Sequence, residues 1–160
     1  MGQVSQTLDT EHRAALDVLG RVEQAIARRG RAPGDDTQFS ALASSLVRLI
    51  EHDTGAHFDF EERELFPRLV DAGEGDIAAL LGEEHDAIRE AAAELLPLAR
   101  AVAAGTLADG DFDAFKRGVM EIVERQVSHI QKETMALLPM LDDLLDDDTD
   151  RELSMAYASA

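Results

Sequence analysis

The sequence predicts an all-α protein, an up-down-up-down antiparallel four-helix bundle. Three observations point to it. Apolar residues recur at helical spacing through four long segments, no segment alternates as a strand does, and the breaks are short and rich in Gly, Pro and Asp. Short connections between long amphipathic helices make neighbours antiparallel.

The first helix is expected over residues 4–29, with Leu8, Leu16, Leu19, Val22 and Ile26 on its apolar stripe, and the stretch "GRAPGDD" from Gly30 ends it. The second spans 37–70 on Phe39, Leu42, Leu46, Leu49 and Ile50, and closes at "DAGEGD" from Asp71. The third, 76–104, carries Ile77, Leu81, Ile88, Leu95 and Val102 as far as "GTLADGD" from Gly105. Phe112, Phe115, Val119, Ile122 and Ile130 mark the fourth, over 111–145. Pro67, Pro97 and Pro139 are expected to kink or end their helices locally. The bundle is thus placed at residues 1–145 and an acidic C-terminal tail at 146–160, whose last ten residues, "RELSMAYASA", are either a short helix or a loose tail.

A chain of 160 residues is the size of one domain with one continuous core. It contains no cysteine, so disulfides, thiolate metal sites and cysteine nucleophiles are excluded, and any metal must be held by nitrogen and oxygen. A net charge of -18 repels a phosphate backbone and argues against nucleic acid as a partner. The acidic run "DDLLDDDTD" reads as solvated surface. The opening "MGQVSQTLDTEHR" has no export signature and no long apolar run follows, so no membrane contact and a cytoplasmic location are expected. Neither a glycine-rich phosphate loop nor a nucleophile elbow is present.

Two stretches carry the chemistry. "HFDFEERELFPRL" from His57 and "HIQKETMALLPML" from His129 share the frame H-x-x-x-E-x-x-x-L-x-P-x-L. "EHRAAL" at Glu11 likewise matches "EHDAIR" at Glu84, and His57 follows His12 by 45 residues where His129 follows His85 by 44. The halves therefore read as a duplicated helical hairpin. Residues i and i+4 share a helix face, so His57 with Glu61 and His129 with Glu133 each aim at one point. Counted from the connecting loops, His12, His57, Glu61, His85, His129 and Glu133 fall at one level of the bundle, on stripes that face the core. Taken singly, an inward His is more often a hydrogen-bonded core residue, and an i,i+4 His/Glu pair a surface contact. The repetition and the shared level favour a metal site, because six such groups buried without partners would cost several kcal/mol each once charged.

Neighbouring residues are read more plainly. His52 points away from His57 and is expected at the surface; Asp53, one turn before His57, is either a hydrogen-bond acceptor for an imidazole or a solvated acid; Glu62 is expected to face outward. Phe58, Phe60 and Phe66 are core residues, with Phe58 placed to wall a metal pocket.

The combined pattern H…HxxxE…H…HxxxE resembles the hemerythrin-like, or HHE cation-binding, family from Glu11 to Leu141. The resemblance implies a non-haem di-iron centre in a four-helix bundle, with His12, His57, His85 and His129 as terminal ligands and Glu61 and Glu133 as bridging carboxylates. Imidazole and carboxylate donors suit iron or manganese, so two iron ions joined by an oxo or hydroxo bridge are the expected cofactor. Manganese and zinc are less favoured, structural zinc preferring closed four-coordinate sites. The sequence departs from the oxygen-carrying members, which place a fifth histidine one turn from the first on the third helix; Leu81 and Arg89 stand there instead. It therefore resembles the four-histidine, two-glutamate branch. The function expected is binding of, or reaction with, O2, peroxide or NO, the alternative being an iron- or oxygen-responsive module acting through a protein partner. Tyr157, the single tyrosine, falls in the tail and there is no tryptophan, so no aromatic radical relay is expected.

Overall fold

The computed structural model describes residues 1–30 and 32–160. Five helices account for the architecture: α1 (Gln3–Ala27), α2 (residues 37–71), α3 (Gly75–Ala104), α4 (residues 112–144) and α5 (Asp147–Ala158). The first four form the antiparallel bundle. α1 packs on α2 and α4, and α3 closes the ring by packing on the same two. No strand occurs among the described residues, and no helix is long and apolar enough to cross a membrane.

Local chemistry explains the boundaries. Asp36 begins α2 by accepting hydrogen bonds from the backbone N–H of Gln38 and Phe39, both at 3.1 Å. α3 ends at Gly105, whose φ of 72° permits the left-handed turn in which Thr106 N–H donates to Ala101 O at 2.9 Å. A side chain at Gly105 would also press on the carbonyl of Gly34, 3.1 Å from an added Cβ. Pro97 does not end its helix, which continues to Ala104.

Pro67 and Pro139 act differently. α2 contains π turns at Asp53–His57 and Glu61–Leu65, and α4 has one at Glu133–Leu137. In the last two, the N–H of Phe66 reaches back five residues to Glu61 O, and that of Leu138 to Glu133 O. Each turn stands just before its proline, which has no N–H and would collide with the carbonyl four residues earlier in a regular α-helix. The repeated Leu-x-Pro exit thus accompanies a widened turn beginning at the glutamate in both hairpins. The widening keeps one face inward: Asp53, His57, Glu61, Leu65 and Leu69 are all buried at successive steps of four. In an α-helix each such step overshoots a turn by about 40° and the stripe would drift away.

Of the two readings of the C-terminal residues, the short helix is the one found. Asp147–Ala158 is helical, lies against α1, and buries Leu153. The acidic run is not merely solvated. Asp150 accepts from the N–H groups of Gln3 and Val4 at 2.7 and 3.0 Å, capping an α1 terminus with no side-chain cap of its own. Asp142 takes the Gly2 N–H at 2.8 Å, and Asp146 caps α5 through Thr149 N–H at 2.8 Å.

Apolar side chains divide into two clusters. One, with Leu19, Phe39, Leu46, Ile88, Phe112 and Phe115, fills the end where α1 turns into α2; the other, with Val4, Leu8, Leu65, Leu69, Leu81 and Leu141, fills the opposite end. Between them lies a layer of buried polar side chains.

Candidate metal centre

That layer comprises His12, His57, Glu61, His85, His129 and Glu133, none more than 3 % exposed. All six residues singled out by sequence spacing therefore meet, supplied by all four bundle helices. Each imidazole turns Nε2 inward. His57 Nε2 lies 3.2 Å and His85 Nε2 3.4 Å from Glu61 Oε1. His12 Nε2 lies 3.2 Å and His129 Nε2 3.3 Å from Glu133 Oε1. Each carboxylate thus reaches one histidine from each hairpin, the placement a bridging group needs.

Nδ1 of every imidazole points outward to a hydrogen-bond acceptor. His57 Nδ1–H donates to Glu11 Oε2 at 3.0 Å, His85 to Glu62 Oε2 at 2.7 Å, His129 to Glu84 Oε1 at 2.9 Å, and His12 to Thr134 Oγ1 at 3.2 Å. Such bonds fix the tautomer, leaving Nε2 free to ligate, and set the plane of the ring. Phe58 stacks on His85 with 3.7 Å between centroids and 3° between planes, and Phe66 lies 5.3 Å from the same ring. The expectation that Phe58 walls the pocket is met.

Three expectations about the surroundings are corrected. Glu62 does not simply face outward: it is partly exposed, yet it turns one oxygen to His85 and receives Arg89 at 2.8 Å. Asp53 is buried and accepts from Gln126 Nε2 at 3.1 Å rather than from an imidazole. Tyr157 is not remote, since its hydroxyl donates to Glu11 at 2.7 Å and its ring centroid lies 6.5 Å from that of His57. His52 keeps to the surface, 44 % exposed, 2.5 Å from Glu11 Oε1. Sequence reasoning missed Glu11, Glu62, Glu84 and Thr134 as partners of the imidazoles. The repeated Glu-His dipeptides at Glu11 and Glu84 were the signal for two of them.

Do these residues fit a metal? His12 Nε2, both oxygens of Glu61 and Glu133 Oε2 are buried without a hydrogen-bond partner among the described residues. Two nitrogens, His85 Nε2 and His129 Nε2, converge to 3.1 Å. Metal–imidazole bonds of about 2.1 Å at right angles separate their nitrogens by about 3.0 Å. Ligand atoms of Glu61, His85, His129 and Glu133 lie within 4.8 Å of one another, as do those of His12, His57 and Glu133. The donor set fits two cations sharing Glu133. A third convergence, of Glu11, His52 and His57, involves the outward Nδ1 of His57 and is a hydrogen-bonded network.

The hemerythrin HHE cation binding domain family matches residues 3–141 of the chain. The protein belongs to the hemerythrin HHE family. None of the curated proteins matches it. Membership accords with the helical bundle and with cation binding at the buried histidine and glutamate cluster of this hemerythrin domain.

Electrostatics of the metal-free domain lead to a pH prediction. Burial alone would lower the His85 pKa, but Glu133 and Glu61 outweigh it and hold it up to about 9. His57 is likewise held well above its ordinary value, against burial, by Glu61 and Glu11. For Glu133 burial acts upward, yet Glu61, His12, His129 and His85 converge on it and keep its carboxyl well below the usual range. A raised imidazole pKa stabilises the fold fully below about pH 6.5, the unfolded value. For His85 that contribution is lost as pH rises through about 9. The metal-free domain should therefore melt progressively lower between those limits. Apparent metal affinity should climb over the same window, because each cation displaces protons from Nε2. Thermal melts and metal titrations at stepped pH check both slopes; a flat profile would contradict the assignment.

Proposed function

We propose that this hemerythrin domain holds two iron ions, with His12 and His57 as terminal ligands of one, His85 and His129 of the other, and Glu61 and Glu133 bridging, and that it binds or reacts with small oxidants such as O2, peroxide or NO. The observation that carries this reading is the reach of each carboxylate to one histidine of each hairpin. Bound iron supplies one-electron redox steps and coordination positions open to a small ligand. The protein's own groups do the rest. The inward Nε2 atoms bind, while Glu11, Glu62, Glu84 and Thr134 hold the ring planes through Nδ1–H. Phe58 and Phe66 screen His85, and the two apolar clusters keep water from either end of the layer. Burial this complete supports a diatomic or peroxide ligand over an organic substrate.

Iron analysis tests the proposal. The protein expressed with iron should carry about two iron atoms per chain, and adding free iron to 100 times Kd should stabilise it by about 2.7 kcal/mol per site. Each occupied site thus corresponds to a rise in Tm on the order of 5–10 °C for a domain of this size. One atom per chain, zinc taken in preference to iron, or superimposed melting curves would sink the two-iron reading. Optical spectra recorded before and after admitting O2, peroxide or NO then test reactivity.

A further inference from the structure

We propose that Tyr157, on the C-terminal helix, is a positioning residue for His57 acting through Glu11, so that α5 sets how firmly the His12–His57 half of the site holds its cation. This rests on the two-cation reading. The two halves are built alike as far as the acids: Glu11 precedes His12 and takes the Nδ1–H of His57, and Glu84 precedes His85 and takes the Nδ1–H of His129. Beyond that point the likeness stops. Glu84 is anchored by Lys132, a cation on the same helix as His129 and three residues beyond it. Glu11 lacks a lysine or arginine partner among the described residues. Its oxygens are held by the Tyr157 hydroxyl, at 2.7 and 3.0 Å, and by His52 at 2.5 Å.

The remaining acceptors widen the difference. His85 donates to the carboxylate of Glu62, whereas His12 donates to the hydroxyl of Thr134, each the residue that follows a bridging glutamate. Imidazoles that donate to carboxylates are the more basic ligands. The His85–His129 half has two such acceptors and the His12–His57 half has one. That single carboxylate is steadied by a residue 146 positions away in sequence, on a helix outside the bundle. If α5 lifts, Glu11 keeps, besides His57 itself, just His52, which is exposed and free to draw the carboxylate away from His57.

Tyr157 also packs on Phe60, with 4.5 Å between ring centroids, so it could serve only to seat the helix. Tyr157→Phe separates the roles, because it keeps the ring and removes the hydroxyl. The full-length iron-loaded protein is challenged with a ferrous chelator and release is followed in time. Tyr157→Phe should speed loss of one iron by about tenfold and leave the other at its wild-type rate. Lys132→Met should speed the other one. Equal acceleration of both irons by Tyr157→Phe, or release unchanged from wild type, overturns the proposal. A second readout does not depend on the iron count: imidazole NMR of the zinc-exchanged protein. The His57 Nδ1–H resonance should move in Tyr157→Phe while that of His129 stays, and the reverse should hold in Lys132→Met. Wild type with one iron per chain would count against the two-iron reading alone; an unmoved His57 resonance would count against Tyr157.

Discussion

Glu133→Ala is expected to strip the protein of both cations, taking iron from about two per chain to near none. Glu133 is the residue common to both convergent sets of ligand atoms, and its Oε1 stands 3.2 Å from His12 Nε2 and 3.3 Å from His129 Nε2. In the proposed centre, deleting it would remove a ligand from each ion and one of the two carboxylates that would offset the repulsion between the cations. Glu61→Ala should act in the same direction, since Glu61 Oε1 faces His57 and His85, one from each half. Both variants withdraw one inward carboxylate from the buried imidazoles, which destabilises the metal-free fold. Iron analysis with a circular dichroism melt distinguishes lost binding from lost folding. A folded Glu133→Ala protein that still holds two irons would remove the bridging role.

The second large effect separates the five histidines. Ala at His12, His57, His85 or His129 should release one iron, because the proposed centre gives each ion only two imidazoles. His52→Ala should keep both. His52 reaches the site through the far oxygen of Glu11 and the Tyr157 hydroxyl, 3.2 Å away, and without it Tyr157 and His57 still hold Glu11. The readout is iron per chain across the five variants. Two irons in His85→Ala, or one in His52→Ala, would show the histidines to be wrongly sorted.

The difference between what spacing reveals and what it hides is visible in these same residues. The four bundle helices and the level of the six polar side chains follow from periodicity and from counting along rods of known rise, so both were legible. The π turns were not read, although a stripe at 53, 57, 61, 65 and 69 is too slow for an α-helix and was the available clue. Partners of Nδ1 depend on which side chain of a neighbouring helix comes opposite the back of each ring. Repeated Glu-His dipeptides hint at Glu11 and Glu84, but nothing in the sequence joins position 157 to position 11. Asp142, Asp146 and Asp150 were hidden for another reason. In composition an acid that caps a helix is indistinguishable from an acid in water; the approach of the α1 terminus sets Asp142 and Asp150 apart, and the start of α5 at Thr149 sets Asp146 apart.

Tyr157 gives the molecule a built-in lamp. It is the one tyrosine in a chain without tryptophan, so emission excited at wavelengths too long for its six phenylalanines arises from a single ring. That ring stands 6.5 Å, centroid to centroid, from His57. A paramagnetic ion attached to that imidazole lies well inside the range over which excited states are quenched. Emission should therefore be dark while the centre holds iron and brighten as iron leaves, following occupancy of the site in real time without any added label.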